Sequence, residues 1–319
     1  MSKQIRLLTG LFLVIAVIAI GYTTVPAVIN KENNFREVTD STGTTVKIPV
    51  HPQRVIILNA SNVDMYYGAG GTVIGRPATT AYDEELRHKL AAIPEIGTIH
   101  SPNIEKILEL NPDLVIGVNV PFHTNLRDTL NAAGIPLIIN KLDAYSDVLS
   151  TLDFYGELTG NTKAAQQEKE RIIAEHNTIV AKASEHTSQR SLIIFGTPGS
   201  FNMATSASFS GNLLAELGGN NVADKAPNLD GAFVPLSMEY ITKADPETIF
   251  FISMSPNPAI AEAFKEEMSK NSLWQGITAV KNQRIYYLSG NLFSVNPGTK
   301  IDQALDILYH DLYEPEAEE

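Results

Sequence analysis

The feature that most constrains the fold of this chain is an internal repeat. Residues 104–116 and 238–250 align without a gap, at an offset of 134. Each copy carries a glutamate near its start, Glu105 or Glu239, then an Asn-Pro-Asp or Asp-Pro-Glu turn, then an unbroken apolar run. Proline ends a helix, and an all-apolar run is typical of a parallel strand that is covered on both faces. The repeat therefore predicts two α/β lobes of similar plan.

The residues around each copy extend the same pattern. Gln53-Arg54 and Gln189-Arg190 each precede another apolar run, and each of these runs is predicted to be a strand. In the first half, residues 126–133 are predicted to be a helix that stops at Gly134, and residues 136–140 to be a strand. A strand–helix–strand order of this kind favours a parallel sheet.

The two halves are joined by a helical stretch. Apolar residues recur at helical spacing through residues 145–185, and the second helix is predicted over 163–184 with Thr162 as its cap. A helix of that length spans about 33 Å, so it is expected to act as a stiff strut. We expect a signal peptide or anchor (1–30), an N-terminal α/β lobe (35–144), connecting helices (145–185), a C-terminal α/β lobe (186–313) and an acidic tail (314–319).

The N-terminal segment predicts export. Lys3 and Arg6 precede an apolar run over residues 7–22, which is typical of a secretory signal peptide or a short membrane anchor, with a cleavage position after Ala27. The sequence has no cysteine, so disulfides and a lipid on an N-terminal cysteine are excluded. We therefore expect the protein to be periplasmic, or held on the extracytoplasmic face by this segment.

Composition and motifs exclude several functions. A formal net charge of −12 disfavours nucleic-acid binding, because phosphate backbones are repelled. No nucleophile elbow, Walker loop, zinc-protease motif or dinucleotide fingerprint occurs, although dispersed Ser, His and Asp leave a secreted hydrolase as an unsupported alternative. The seven histidines show no metal-ligand spacing, which disfavours a zinc or manganese receptor.

A signal, two α/β lobes and a long connecting helix resemble the substrate-binding proteins of ABC importers for haem, siderophores and corrinoids. Residues 38–43 and 52–56 look like the opening of that family. Residues 195–200, 218–222, Trp274 and 279–286 are similar to its haem-binding, IsdE-type branch. The resemblance implies two Rossmann-like lobes joined by one long rigid helix, the class III periplasmic-binding-protein fold. It also implies a monomer that captures haem between the lobes with little hinge motion and delivers it to an ABC permease and its ATPase.

The resemblance also implies roles for four residues. Glu105 and Glu239 match the exposed glutamates that each lobe offers to an arginine pocket on the permease. Met65 stands where the haem branch carries an axial methionine, and Met254 where that branch usually carries a histidine. Two thioethers would give a bis-methionine iron site, and such soft ligands favour reduced iron.

Further cleft candidates are expected at the carboxyl ends of the strands, where α/β receptors bind ligands. They comprise aromatic surfaces for a porphyrin, cations for its propionates, helix starts that offer backbone N–H groups, and spare histidine ligands: Tyr66, Phe201, Phe122, Arg76, Lys300, Ser61, Ser210, His123 and His100. Each aromatic residue or methionine is equally an ordinary core candidate. A siderophore or corrinoid remains the alternative cargo, weakly disfavoured because the one tryptophan, Trp274, is expected on the surface.

Overall fold

The computed structural model describes residues 34–227, 231–253 and 258–315, and it confirms the α/β fold. The N-terminal lobe contains seven strands, β1 (Phe35–Thr39), β2 (Thr45–Pro49), β3 (Val55–Ile57), β4 (Gly97–Thr98), β5 (Ser101–Pro102), β6 (Leu114–Val118) and β7 (Leu137–Asn140). Its helices are α1 (Ala60–Gly68), α2 (Glu84–Lys89), α3 (Ile104–Glu109), α4 (Pro121–Thr124) and α5 (Arg127–Ala132). The predicted signal or anchor segment and the last residues of the acidic tail lie outside the described residues.

Two helices, α6 (Tyr145–Thr159) and α7 (Thr162–Ala183), lead to the C-terminal lobe. The strands of that lobe are β8 (Arg190–Thr197), β9 (Ser200–Ala204), β10 (Asn220–Asn221), β11 (Phe233–Pro235), β12 (Thr248–Ser253) and β13 (Ile285–Leu288). Its helices are α8 (Phe209–Glu216), α9 (Met238–Ala244), α10 (Pro258–Lys270), α11 (Thr278–Lys281), α12 (Gly290–Phe293) and α13 (Ile301–Tyr313), with 3₁₀ turns at Val222–Lys225, Trp274–Gly276 and Gly298–Lys300.

The sheets of the two lobes differ in size. In the N-terminal lobe β3, β6 and β7 form a parallel sheet, as predicted. In the C-terminal lobe the order is β11-β9-β8-β12-β13, with β10 also pairing with β8. The strands β8, β12 and β13 are parallel, whereas β9 and β11 run antiparallel to their neighbours. The stretch after β8, which contains the cleft candidate Phe201, folds back as strand β9.

One apolar core is shared by both lobes. Alternate residues of β3 and β8 point in opposite directions, so Ile57 and Ile193 enter a central cluster while Ile56 and Leu192 enter the outer cores of their own lobes. The central cluster also includes residues of α6, α7 and α13, such as Ile172 on α7. Because the lobes share this closely packed core, large rotations of one against the other would expose apolar surface.

Two details of the sequence prediction are wrong. The helix α7 is capped by Asn161, whose side chain accepts from the Ala164 N–H at 3.1 Å, and Thr162 is its first residue. Trp274 is fully buried and meets the ring of Phe264 edge-on at 5.6 Å, because the 3₁₀ turn that carries it is covered by α10. Its position therefore says nothing against a siderophore or a corrinoid.

Candidate functional site

A cleft pocket of about 400 Å³ lies where the carboxyl ends of strands from both lobes meet. Four short segments line it: the start of α1, the loop over 77–81, the tip of the β4–β5 hairpin, and the start of the segment that follows β13. The lining residues are Asn59, Ala60, Ser61, Pro77, Ala78, Thr79, Thr80, Ala81, Thr98, Ile99, His100, Gly290, Asn291, Ser294 and Val295. The volume is within the usual range for small-molecule sites, about 300–1,000 Å³.

A buried histidine holds the hairpin tip in place. His123 is fully buried beside the end of β6, where its Nδ1 accepts from the Val118 N–H at 3.0 Å. The other ring nitrogen, Nε2, therefore carries the proton and donates to the Ile99 carbonyl at 3.1 Å. Burial lowers the pKa of His123 to about 4, so the ring is neutral at physiological pH. Because both nitrogens are engaged, His123 cannot serve as the iron ligand that the sequence suggested.

The neighbour of Ile99 is the histidine that faces the pocket. His100 is exposed and lines the pocket, and its ring meets the exposed ring of Phe122 edge-on at 5.3 Å. His100 is the second residue of the two-residue turn between β4 and β5, and Gly97 in β4 is the sequence feature that could have marked this hairpin. Gly97 has a φ of +94°, and a Cβ there would lie 2.3 Å from the Ser101 carbonyl. The hairpin that presents His100 therefore requires glycine at this position.

The opposite wall is a segment that we call the strap, residues 290–299. Both lobes tie it down with a serine near a helix start: Ser61 of α1 donates to the Asn296 carbonyl, and Ser210 of α8 donates to the Phe293 carbonyl at 2.6 Å. Both hydroxyl groups are buried and occupied by the strap. Ser61 nevertheless borders the pocket as predicted, whereas Ser210 lies behind the strap and not on the pocket wall.

A carboxylate strengthens the tie to the N-terminal lobe. Asp64 accepts from the Thr299 N–H at 2.7 Å and from its hydroxyl at 2.6 Å. Burial raises the pKa of Asp64, and the two bonds from Thr299 oppose that effect. Gly298 has a φ of +70°, and a Cβ on it would lie 2.7 Å from the Asp64 carboxylate, so the strap can approach α1 this closely only with glycine there.

The predicted axial ligands are not brought together. Met65 is fully buried in the central core and does not line the pocket, so the structure does not support it as an iron ligand. The reason is that α1 is packed against α6, α7 and β3, so the face of α1 that carries Met65 is buried. Met254 lies outside the described residues, directly after Ser253 at the end of β12. The carbonyl of Ser253 lies close to Gly290, which lines the pocket.

Two aromatic candidates are core residues. Tyr66 is buried against Tyr155, with ring centroids 5.2 Å apart. Phe201 lies on β9 and packs against Phe251 and Phe264 on the outer face of the C-terminal sheet. Neither ring faces the cleft pocket.

The two candidate cations are engaged elsewhere. Arg76 donates to the Leu90 carbonyl at 3.1 Å and to Glu95 at 3.0 Å. Lys300 forms an ion pair with Asp83 at 3.0 Å, next to the strap. Neither side chain lines the cleft pocket, so the predicted contact with propionates lacks support.

The described lining of the cleft pocket is therefore neutral apart from one titratable side chain, His100. It offers five hydroxyl groups, from Ser61, Thr79, Thr80, Thr98 and Ser294. Within residues 34–227, 231–253 and 258–315, no three His, Asp or Glu side chains converge as a metal site. Over the same ranges, no helix has the length and apolar character to cross a bilayer.

The two repeated glutamates lie on matching helices. Glu105 is the second residue of α3 and Glu239 the second residue of α9, and both are exposed. Asn103 and Ser237 cap these helices by accepting from the N–H groups of Lys106 and Tyr240. Both helices precede a parallel strand, β6 in the N-terminal lobe and β12 in the C-terminal lobe. The helix dipole favours a carboxylate at this position.

A family model described as periplasmic binding protein matches residues 55–292. The putative ABC transporter substrate-binding lipoprotein YhfQ of Bacillus subtilis is 25% identical over 309 residues, covering 92% of this chain and 93% of the relative. The Fe(3+)-citrate-binding protein YfmC of the same species is 27% identical over 263 residues, covering 81% and 79%.

The high-affinity heme uptake system protein IsdE of Staphylococcus aureus is 25% identical over 248 residues, covering 76% of this chain and 80% of the relative. The crystal structure of S. aureus IsdE complexed with heme superposes with a TM-score of 0.73 at 21% identity. That match covers 83% of this chain and all of the other. At this level of identity the superposition supports the fold and not the ligand.

Proposed function

Since the chain belongs to the periplasmic binding protein family and is a substrate-binding protein rather than an enzyme, we propose that it captures haem in the cleft pocket. It then delivers the haem to an ABC permease driven by its ATPase. The shared core of the two lobes limits hinge motion, so capture requires only small adjustments at the cleft. Delivery takes place outside the cytoplasm, with the protein either free in a periplasm or anchored by its N-terminal segment.

The observation that carries the haem proposal is the neutral lining around a single exposed imidazole. Imidazole is a common axial ligand of haem iron, and His100 is the described lining residue with that chemistry. The ring of Phe122 beside it adds a flat apolar surface. A strongly anionic ligand such as ferric citrate would need cations, and the described lining supplies none.

The second axial ligand is proposed to come from the C-terminal lobe. Met254 follows Ser253 in the sequence, and the carbonyl of Ser253 lies close to Gly290 of the strap. Imidazole from one lobe and thioether from the other would give mixed axial ligation in place of the bis-methionine site that the resemblance implied. Thioether ligation raises the reduction potential of haem iron.

An iron-siderophore or ferric citrate complex is the second candidate cargo. The hydroxyl groups of Thr79, Thr80 and Thr98 in the lining favour it, because hydroxyls can donate to the oxygen atoms of such chelates. Haem and ferric citrate would compete for the same pocket, so a competition experiment separates the two candidates.

The proposal is tested by titrating the purified protein with haem and recording the Soret and visible bands. We expect His100→Ala to shift these bands and to weaken haem binding by about tenfold or more, and Met254→Ala to change the bands of the reduced form. Met65→Leu is the matched control and should leave the spectrum unchanged, since Met65 lies in the core. If haem produces no Soret change while ferric citrate or a siderophore binds, the haem proposal is wrong.

A further inference from the structure

A second pocket, of about 650 Å³, lies beside Glu239 in the C-terminal lobe. It lies where strands β8 and β10 begin, whereas the cleft pocket lies at the carboxyl ends of the strands. Its walls are the start of α9, the 3₁₀ turn Val222–Lys225 and the beginnings of β8 and β10. Tyr240 forms one wall, and its hydroxyl is fixed by donation to the Val222 carbonyl at 2.5 Å. We call this the docking pocket.

The docking pocket is rich in positive charge although the chain as a whole carries −12. Lys225 and Lys243 line it, are exposed, and have no ion-pair partner within the described ranges. Arg190 also lines it, but is already paired with Asp245 and Glu247, at 3.9 and 3.6 Å. The unpaired charges among the described residues of the docking pocket are therefore two ammonium groups, Lys225 and Lys243, and one carboxylate, Glu239.

The equivalent helix of the N-terminal lobe has different charges. At the same offset of 134, Lys243 on α9 corresponds to Glu109 on α3, and Thr242 corresponds to the exposed Leu108. Both helices keep the glutamate in their first turn and carry one lysine, Lys106 on α3 and Lys243 on α9, but α3 adds a second carboxylate, Glu109. A partner that contacts both lobes thus meets two unlike surfaces.

We propose that the docking pocket receives a protruding segment of the permease that carries a carboxylate, which pairs with Lys225 and Lys243 while Glu239 pairs with a permease cation. This inference rests on the proposed function and specifies the partner chemistry at one lobe. The pocket can seat a side chain and a turn of backbone, and reciprocal ion pairs fix the orientation of a complex. A free small anion is a poorer occupant because the Glu239 carboxylate on the rim repels it.

The test measures haem uptake by cells that carry the native importer, with haem affinity measured separately on the purified variants. We expect Lys225→Glu combined with Lys243→Glu to reduce uptake by about tenfold or more, because both ion pairs become repulsive, while haem affinity stays unchanged. Lys163→Glu is the matched control, an exposed helical lysine on α7, and should leave uptake unchanged. Normal uptake by the double variant would overturn the inference, whether or not the pocket also binds inorganic phosphate.

A parallel variant separates this inference from the proposed function. Glu105→Ala combined with Glu239→Ala should abolish uptake and leave haem affinity intact. If that pair has no effect, glutamate-mediated docking itself is wrong. If that pair abolishes uptake while the lysine reversals do not reduce it, only the acidic permease segment is refuted.

Discussion

The two lobes share their construction at one sheet edge and differ at the other. At the edge where β6 and β12 begin, Arg54 and Arg190 each donate to the backbone carbonyl of the residue before the turn proline. In both lobes that residue, Asn111 or Asp245, has a φ of +46°. The residue after the proline then accepts from the N–H of the arginine in both lobes.

At the cleft edge the lobes supply different parts. The N-terminal lobe supplies a hairpin tip with His100, and the C-terminal lobe supplies the strap. The comparison suggests that the shared edge serves a contact that both lobes make, and that the divergent edge serves a ligand with two unlike faces.

The largest expected difference is in acid stability. His123 is buried in the N-terminal lobe, and the described part of the C-terminal lobe has no buried histidine. The pKa of His123 falls from 6.5 to about 4 on folding, so between these pH values His123 is protonated in the unfolded chain and neutral in the folded chain. Above pH 6.5 the burial of His123 therefore does not lower the free energy of unfolding. As pH falls towards 4, it lowers that free energy by up to about 3 kcal/mol.

Urea unfolding at several pH values, followed by the fluorescence of Trp274, measures this loss. His123→Gln should remove most of the dependence between pH 6.5 and 4, because glutamine does not titrate. His100 also lowers the pKa of His123, but less than burial does, so His100→Gln is the control and should alter the slope little. An unchanged slope in His123→Gln would show that other groups govern acid unfolding.

The next difference concerns how each lobe holds the strap. Asp64→Ala removes the acceptor of two bonds from Thr299 in a buried place, so we expect a loss of about 2–3 kcal/mol in the free energy of unfolding. Ser210→Ala removes one neutral bond to Phe293, and we expect a loss of about 1 kcal/mol.

Asp64→Asn is the conservative control for this pair. Its amide oxygen can still accept from Thr299, so its loss should be smaller than that of the alanine variant. Haem affinity should fall in parallel with strap stability, since the strap lines the cleft pocket. Equal losses in Asp64→Ala and Ser210→Ala would mean that the two lobes hold the strap equally.

Much of this fold could be predicted from the sequence because its signals are local. The Asn-Pro-Asp turn and the apolar run after it predicted α3 and β6, and the matching residues predicted α9 and β12. The hairpin β8–β9 was missed because its turn, with Gly199 at a φ of +84°, reads as a polar, glycine-rich loop. The sheet predicted as parallel is therefore mixed in the C-terminal lobe.

The cleft was harder to predict because its contacts join distant parts of the chain. Asp64 and Thr299 are 235 residues apart, and no local pattern marks that pair. The resemblance implied that Met65 is an axial ligand, but Met65 is buried in the core. Which face of α1 is buried depends on the elements that pack around it, and the local sequence does not show them. His123 was predicted as a ligand in the cleft, and it does lie near the cleft pocket. It acts indirectly, because it holds Ile99 in the hairpin that presents His100 to the pocket.

The smallest expected effect tests whether the repeated turn has the same energetics in both lobes. A φ of +46° is the left-handed region, which glycine adopts more readily than other residues. Asn111 is exposed, and its carbonyl, not its side chain, binds Arg54. Asn111→Gly should therefore change the free energy of unfolding by no more than about 0.5 kcal/mol, because relief of strain offsets the greater freedom of the unfolded chain.

Asp245→Gly should be destabilising, by about 1 kcal/mol, although the backbone conformation is the same. The Asp245 carboxylate accepts from the Thr278 N–H and hydroxyl, both at 2.8 Å, and the bond from the N–H is the main reason that its pKa is lowered. A lowered pKa means that this stabilisation is present above pH 3.8 and is lost as pH falls further, so the deficit of Asp245→Gly should shrink in acid. The deficit of Asn111→Gly should not depend on pH. If both variants behave alike in urea unfolding at neutral pH, the side chain of Asp245 adds nothing to the turn, and the two lobes are equivalent there in energy as well as in shape.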